Sequence, residues 1–439
     1  MSTSRCVIAA GHLQPARRLT HPSNGRHSLG RIGSRIWNCV RTLSPKHADK
    51  YKIARSAVSK AQVSNPRSPY NVTIRTSQLD DFDRAEIFSN ETEHRRLMIS
   101  VFSPLVDDEH EPVSSPPCRS PYMPREVAVA LTTLYSASPP PSNFTIEFSR
   151  LFLQACSVDV TYGSPPDDEL SESQRSTAAE EFPLVIFGPG LGFSRLTYNL
   201  LCQFLASYGF IVVSVDHPHD AAVVQFSDGS FAFFSSEVQD SDAHLERNLL
   251  IRTADVSFVL DQLGTNDTLA RLVYPRGVKP CSVESAGIWG HSFGGATAVT
   301  ALLRDARFKG GMNIDGTVFG PAPRGGIDGA LVLWQSELAD DGTPRTEFDS
   351  TWVELWSHLR GYKKHLQMKG GQHRGLTDLK LLADLLGTRS PSFGTIDGLL
   401  ELQTLAICAR DFFGFVLEGK EPGLLSGPSK DYPHVEFLQ

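Results

Sequence analysis

Short apolar runs alternate with amphipathic runs along the second half of the chain. Residues 184–187 and 210–215 are continuous apolar runs, which are typical of strands buried on both faces of a sheet. Residues 198–208 and 243–263 place their apolar side chains at helical spacing. Strands that alternate with helices predict an α/β protein with a mainly parallel central sheet and helices on both of its faces.

The same pattern divides the chain into three parts. Residues 1–68 are predicted to be a disordered or targeting segment, since they are rich in Arg and Ser and carry almost no acid. Residues 69–418 carry the predicted strands and helices of one α/β domain, beginning with alternating runs at 72–76 and 96–102. Residues 419–439 are predicted to be a C-terminal tail.

Composition and charge exclude several classes of protein. The 439 residues are 40% hydrophobic and 21% charged, which is typical of a globular domain. The formal net charge of −7 gives no reason to expect a nucleic-acid partner. No apolar run approaches the roughly 20 residues that a membrane-spanning helix needs. No segment repeats at a fixed period, so solenoids and propellers are not expected.

The charge is unevenly distributed, and it bears on localisation. Residues 1–60 hold twelve basic residues and one acid, Asp49, and this composition resembles that of a mitochondrial presequence. A misassigned first exon is the alternative explanation of this segment. Four N-x-S/T sequons slightly favour a secreted protein instead, with mitochondrial or cytoplasmic localisation as the alternatives. The sequons lie at Asn71, Asn90, Asn143 and Asn266.

The seven cysteines are scattered and include no C-x-x-C pair, so they give no zinc or thioredoxin signature. Cys202 and Cys408 fall in apolar runs and are predicted to be buried thiols. Cys118 lies in a stretch rich in Pro and Ser and is a candidate partner for Cys156. The sequence leaves this pairing open.

The most informative motif is G-x-S-x-G at residues 290–294, with Ser292 at its centre. An apolar run at 286–289 precedes the motif and a helix-like run at 296–303 follows it. This order predicts a strand, a sharp turn and a helix, with the serine hydroxyl standing clear of the backbone. A serine is a weak nucleophile, so it needs a histidine base within reach.

In α/β-hydrolases the orienting acid follows the serine in the chain, and the histidine follows the acid. Asp315 ends the apolar run at 312–314 and precedes a glycine, so it is the favoured acid. Glu337, just past the apolar run at 331–334, is its rival.

His373 is the favoured base, because it follows a short predicted strand at 365–368 on a Gly-rich loop. His365 begins that strand and His358 lies in a helix-like run, so both are predicted to be structural. His291, beside the serine, is also predicted to be structural.

A Gly-rich loop at residues 188–192 follows the first buried strand, where this fold supplies one backbone donor for an oxyanion. The amide of Phe293 is the expected second donor, since it follows the nucleophile. A loop that cradles phosphate is the alternative interpretation, but neither G-x-G-x-x-G nor a Walker lysine is present.

The run Asp-His-Pro-His-Asp at residues 216–220 has the residue types of a metal site. No further His/Cys set at ligand spacing supports that interpretation, so we predict no metal and no cofactor. We expect this segment to shape the pocket wall or to orient the oxyanion loop.

Taken together, these segments resemble the platelet-activating factor acetylhydrolases of the plasma and intracellular type II group, and within it a fungal or bacterial branch. Pro189, in place of the group's usual histidine, is among the departures, which line the pocket and leave substrate identity open. The resemblance implies an α/β-hydrolase in which Ser292 is the nucleophile, Asp315 orients, His373 is the base, and Leu191 and Phe293 donate the oxyanion amides. It rests on residues 187–192, 216–217, 290–297, 313–316 and 372–373.

The resemblance further implies hydrolysis of a short or oxidised sn-2 acyl ester of a phospholipid, without calcium and through an acyl-serine intermediate. A phospholipid or another small ester is the expected partner, with transient contact with a lipid surface and no obligate protein partner. A general carboxylesterase, lipase or polyester hydrolase is the alternative in the same class. A non-catalytic binding module on the same fold is the alternative in another class. A complete Ser-Asp-His set argues against it.

Overall fold

A sheet of ten strands forms the centre of the protein. The computed structural model describes residues 68–439 with gaps at 90–92, 107–119, 138–145, 154, 158–179, 240, 267–268, 270–272, 274–277, 280–281, 340, 346–348 and 388–390. The strands are β1 Asn71–Ala85, β2 His94–Leu105, β3 Ser120–Pro121, β4 Phe152–Leu153, β5 Cys156–Ser157, β6 Glu180–Glu181, β7 Leu184–Gly188, β8 Ile211–Asp216, β9 Val223–Gln225, β10 Phe231–Phe233, β11 Val278–Lys279, β12 Ala286–His291, β13 Phe308–Ile314, β14 Ala330–Leu338, β15 Lys363–Gln372 and β16 Val435–Phe437. The order of strands in the central sheet is β16-β15-β14-β13-β12-β7-β8-β2-β1-β5.

The middle of the sheet is parallel, from β8 through β7, β12, β13 and β14 to β15. Every residue of β7, β8 and β12 is buried, which explains why these strands appear in the sequence as continuous apolar runs. Antiparallel strands extend the sheet at both ends, with β2 beside β8 and β16 beside β15. The predicted mainly parallel sheet is confirmed.

Helices cover both faces of this sheet. The helices are α1 Arg125–Ala137, α2 Asn199–Ala206, α3 Asp242–Thr265, α4 Phe293–Arg304, α5 Ala322–Gly325, α6 Ser350–His358, α7 Asp378–Leu385 and α8 Gly398–Glu418. Helices α1, α2, α7 and α8 contribute to one apolar core, whereas α3, α4, α5 and α6 contribute to the other. The prediction of helices on both faces is therefore also confirmed.

The C-terminal segment differs from its prediction as a tail. Residues 419–439 pack on the domain, and β16 pairs with β15 in antiparallel register, with Met368 opposite Val435. Leu425 in this segment is fully buried in the core beside α8. A strand of three residues has too little periodicity to be recognised in the sequence, because it is specified by pairing with a neighbour.

Several sequence predictions concern residues with little or no structural description. The N-terminal segment up to residue 67 and the pairing of Cys118 with Cys156 lie outside the described residues.

Cys202 and Cys408 are free and buried, as predicted. Among the helices that the structure describes, none is long and apolar enough to cross a membrane.

Candidate active site

The turn between β12 and α4 holds Ser292 in an unusual backbone conformation, with φ 56° and ψ −119°. Glycine is required on both sides of this turn. A Cβ on Gly294 would lie 2.0 Å from the carbonyl oxygen of Gly188, and one on Gly290 would lie 2.4 Å from the Gly294 carbonyl. The Ser292 amide donates to the Ile314 carbonyl at 2.8 Å, which ties the turn to the end of β13. The serine side chain is thereby held at the end of the sheet where the parallel strands finish.

Of the three residues predicted to act together, His373 lies within hydrogen-bond distance of both Ser292 and Asp315. Nε2 of His373 lies 3.0 Å from Oγ of Ser292, and its Nδ1 lies 2.8 Å from Oδ2 of Asp315. His373 follows β15, and its side chain is 28% exposed, whereas the Asp315 carboxylate is fully buried. The histidine can therefore be reached from solvent while its orienting partner cannot.

Asp315 is itself held from several directions. Its Oδ1 accepts a hydrogen bond from the Ser336 amide at 3.1 Å, and Arg345 donates to both carboxylate oxygens at 2.9 Å. Burial alone would raise the pKa of Asp315. The hydrogen bond and charge of His373, the charge of Arg345 and the Ser336 amide outweigh burial and hold this pKa well below its usual range. The sequence analysis did not identify Arg345.

The rival residues lie elsewhere. Glu337 accepts a hydrogen bond from the Gly370 amide at 2.6 Å, so it holds the segment before His373 rather than the histidine ring.

His365 is buried, and burial lowers its pKa to about 4. The Nδ1 of His358 donates to the Glu354 carbonyl at 2.9 Å within its own helix. Of the alternatives weighed in the sequence, the structure brings His373 to Ser292 and Asp315 to His373.

The Gly-rich loop after β7 closes a tight turn beside Ser292. The Phe193 amide donates to the Gly190 carbonyl at 3.1 Å, and Gly192 has φ 76°, a conformation that favours glycine. Within the described part of the chain, no hydrogen bond is donated by the amides of Leu191 and Phe293. These are the two amides that the sequence resemblance assigns to the oxyanion hole.

His291 lies between this loop and His373, with its ring centroid 4.6 Å from that of His373. The Gly190 amide donates to the Tyr198 hydroxyl at 3.2 Å, and that hydroxyl lies 2.8 Å from Nδ1 of His291. Because the hydroxyl oxygen already accepts from Gly190, we assign its proton to the bond with His291. Burial and the neighbouring His373 lower the pKa of His291 well below its ordinary value. His291 is thus a buried side chain held by the Tyr198 hydroxyl, and its structural role stays a prediction.

The buried side chains of the segment at 216–220 pair with side chains of other elements. Within the described residues, no group of three or more His, Cys, Asp or Glu side chains could hold a metal ion. Each of its buried ionisable side chains instead faces a charged partner from another element, namely Arg195 for Asp216, Asp255 for His217 and Arg252 for Asp220.

This sheet, with a serine at the turn after β12 and a histidine after β15, defines an α/β-hydrolase. The family model of platelet-activating factor acetylhydrolase, isoform II, matches residues 145–245 and 280–325. These ranges contain the Gly-rich loop at 188–192, Ser292 and Asp315, but not His373.

Individual proteins give the same result. A probable 1-alkyl-2-acetylglycerophosphocholine esterase of Arthroderma benhamiae is 28% identical over 401 residues, which cover 88% of this chain and 96% of that protein. The platelet-activating factor acetylhydrolase of Cavia porcellus is 28% identical over 218 residues, 45% of this chain and 49% of that protein. A solved structure, the ferulic acid esterase from Streptomyces cinnamoneus, matches with a TM-score of 0.67 and 25% identity over 86% of this chain and 99% of that chain.

The chain is a carboxylic ester hydrolase and a relative of the platelet-activating factor acetylhydrolases, as the sequence resemblance predicted.

Proposed function

We propose that the protein hydrolyses short sn-2 acyl esters of phospholipids through a covalent intermediate on Ser292. The observation that carries this proposal is the position of His373, which is hydrogen-bonded to Ser292 Oγ at 3.0 Å and to the buried Asp315 at 2.8 Å. An imidazole with a carboxylate on one nitrogen and a hydroxyl on the other can remove the hydroxyl proton as the oxygen attacks.

The reaction follows from this geometry in two halves. Ser292 Oγ attacks the ester carbonyl carbon, its proton passes to Nε2 of His373, and the carbonyl oxygen becomes an anion bound by the amides of Leu191 and Phe293. The tetrahedral species collapses as His373 protonates the leaving alcohol, and an acyl-serine remains. His373 then takes a proton from water, the hydroxide attacks the acyl carbonyl, and the acid leaves as Ser292 regains its proton.

The substrate class is supported by the names of the relatives and by the residues beside Ser292. Two of the relatives are named for the ester bond of an acetylglycerophosphocholine or for platelet-activating factor. An apolar cluster adjoins the serine turn, in which the ring of Phe293 stacks on that of Phe319 at 5.6 Å with Leu191 and Leu245 packed beside them. Such a surface suits an acyl chain better than a polar acyl group.

The test is a series of p-nitrophenyl esters from acetate to palmitate, with wild type beside Ser292→Ala. We expect hydrolysis to be greatest on the shortest chains and to be lost in the variant, after which a phospholipid with an sn-2 acetyl group is compared with its sn-2 palmitoyl counterpart. Equal activity on long chains would instead indicate a general lipase or esterase. Ethyl ferulate is included, because the matching solved structure is a ferulic acid esterase, and preference for it would replace the phospholipid proposal.

A further inference from the structure

Arg252 is a buried arginine of α3 whose guanidinium faces the oxyanion loop. Its side chain is 1% exposed, and it pairs with Asp220 through two of its nitrogens, one of which, Nε, lies 2.8 Å from Oδ2. The same guanidinium donates from Nη1 to the carbonyl of Pro189 at 2.6 Å and from Nη2 to the carbonyl of Gly190 at 3.3 Å. One side chain therefore binds a carboxylate and two consecutive loop carbonyls.

These carbonyl bonds determine where the following amides point. A trans peptide is planar and directs its C=O and its N–H to opposite sides, and no described peptide bond is cis. The Gly190 carbonyl belongs to the same peptide unit as the Leu191 amide. Because Arg252 binds that carbonyl at 3.3 Å together with the Phe193 amide at 3.1 Å, the Leu191 N–H is turned away from α3. The Pro189 carbonyl is related in the same way to the Gly190 amide, which points to the hydroxyl of Tyr198.

The other side of the loop is held by the partner of Arg252. The backbone carbonyl of Asp220 accepts a hydrogen bond from the Gly192 amide at 3.1 Å, while Asn248 donates to the Asp220 carboxylate. The amides before and after Leu191 are thus both engaged, and that of Leu191 is left for a ligand. The Arg252 guanidinium carbon also lies 4.7 Å from the centre of the Phe293 ring, on the residue that carries the second expected donor.

We propose that Arg252, together with Asp220, is a positioning residue that orients the oxyanion donors, an inference that rests on the proposed ester hydrolysis. Its role is to fix the peptide plane between Gly190 and Leu191 before substrate arrives, so that the developing anion meets an amide that needs no rotation. Such preorganised donors stabilise the transition state more than the bound substrate. A substitution of Arg252 should therefore lower kcat and leave KM nearly unchanged.

The test compares Arg252→Lys with Arg95→Lys. Lysine retains the positive charge for Asp220, but its single ammonium lacks the planar fork that binds a carboxylate and two carbonyls together. Arg95 is a matched control because it is equally buried and pairs with Asp255 and Glu86, and none of the bonds that the structure gives it reaches the oxyanion loop. For each variant, kcat and KM on p-nitrophenyl acetate, the affinity for a trifluoromethyl ketone and the denaturant midpoint are measured. Concentrations are corrected by active-site titration.

We expect Arg252→Lys to lower kcat by about 10²-fold, the lower end of what loss of one oxyanion donor costs, with a parallel loss of affinity for the ketone. Arg95→Lys should lose stability and retain kcat. Equal stability losses with kcat retained in both variants would show that Arg252 serves the fold alone. If Arg252→Lys does not fold, Asp220→Asn replaces it, since Asn keeps the shape of Asp and weakens the pair. Wild-type kcat in that variant would overturn the inference.

Wild type and Ser292→Ala are assayed beside these variants so that the two proposals fail in different ways. An active wild type with an equally active Arg252→Lys would overturn the positioning role alone. A folded wild type that is no more active than Ser292→Ala would overturn the hydrolytic proposal and the positioning role together.

Discussion

Two aspartate–histidine pairs in this protein have nearly the same geometry and very different surroundings. Nδ1 of His373 lies 2.8 Å from Oδ2 of Asp315, and Nδ1 of His217 lies 2.7 Å from Oδ2 of Asp255. His373 is 28% exposed and reaches Ser292 through its second nitrogen. His217 is 1% exposed, and its second nitrogen has no hydrogen-bond partner among the described residues.

The comparison shows that a carboxylate on a histidine does not by itself define a catalytic pair. Burial raises the pKa of Asp255, but Arg95 and His217 outweigh burial and hold it well below its usual range, as Arg345 and His373 do for Asp315. The two pairs differ in the solvent exposure of the histidine and in the presence of a third residue, Ser292, at its second ring nitrogen. His217 is buried among charged groups of the fold, whereas His373 stands between solvent and a serine hydroxyl. We expect substitutions in the two pairs to affect different quantities.

The largest expected effect separates the two histidines. His373→Gln removes the proposed base and should lower kcat on p-nitrophenyl acetate by about 10⁶-fold, as loss of the triad histidine does in a well-studied serine hydrolase. His217→Gln should retain a kcat of the same order as wild type once concentrations are corrected by active-site titration. A comparable loss of kcat in the two variants would remove the distinction between the pairs.

The second effect concerns the acid. Asp315→Asn should lower kcat by about 10⁴-fold, because an amide favours the wrong tautomer of His373. Glu337→Gln is the matched control, since its side chain still offers an oxygen to the Gly370 amide. Steady-state kinetics of the two variants decide the assignment, which would be reversed by an active Asp315→Asn and an inactive Glu337→Gln.

A third prediction tests the buried pair. Asp255→Asn weakens a site that accepts from Arg84, Arg95 and His217, and it leaves those donors buried with a neutral partner. The free energy of unfolding should fall by about 3–5 kcal/mol, as measured when one partner of a buried ion pair is lost. Urea unfolding measures this change. The loss of kcat per titrated site can be converted to an activation free energy and compared with the loss in the free energy of unfolding. A larger loss in activation free energy would indicate a catalytic role for the buried pair.

Asp378 is a buried carboxyl whose described hydrogen-bond donors include no arginine, so the pH dependence of stability should distinguish it from Asp315 and Asp255. Asp378 accepts from the Tyr122 hydroxyl and the amides of Leu200 and Leu201, and burial raises its pKa to about 7 despite these bonds. The folded state therefore binds this proton more tightly than the unfolded chain, whose Asp pKa is about 3.9. The free energy of unfolding should fall as pH rises between these values, by up to about 1.4 kcal/mol per pH unit.

The measurement is urea unfolding of wild type and Asp378→Asn from about pH 4.5 to about pH 8. The stability advantage of wild type over the variant should shrink with rising pH up to about 7 and then stay constant. Asp255→Asn serves as the contrast: with a native pKa well below its usual range, Asp255 loses its contribution only as pH falls below about 4. A difference between wild type and Asp378→Asn that does not depend on pH would contradict the prediction.

The smallest expected effect is that of chelation. The buried residues Asp216, His217 and Asp220 face arginines and an acid rather than one another, so EDTA should leave kcat unchanged. Loss of activity that returns on adding a divalent cation would show that the ion pairs described for this segment are replaced by metal ligands.

The sequence allows prediction of the sheet, the serine turn, the histidine that bonds to Ser292 and the aspartate that bonds to that histidine, because buried strands, glycine positions and chain order leave local signals. Arg345 and Arg252 leave none. They reach Asp315 and Asp220 from thirty and thirty-two positions away, and no periodicity marks an arginine that pairs across a fold. The same holds for β16, whose pairing with β15 exists only once the sheet is formed.

Both expected oxyanion donors are backbone amides, and this has an evolutionary consequence. Every residue type except proline supplies the same N–H, so the side chains at positions 191 and 293 can change while the anion-binding groups persist. Position 189 does not need an N–H at all, because the group that is bound there is its carbonyl, which accepts from Arg252. A proline at this position therefore costs the site nothing. Substrate preference and the hydrolytic step can therefore diverge independently among relatives of this protein.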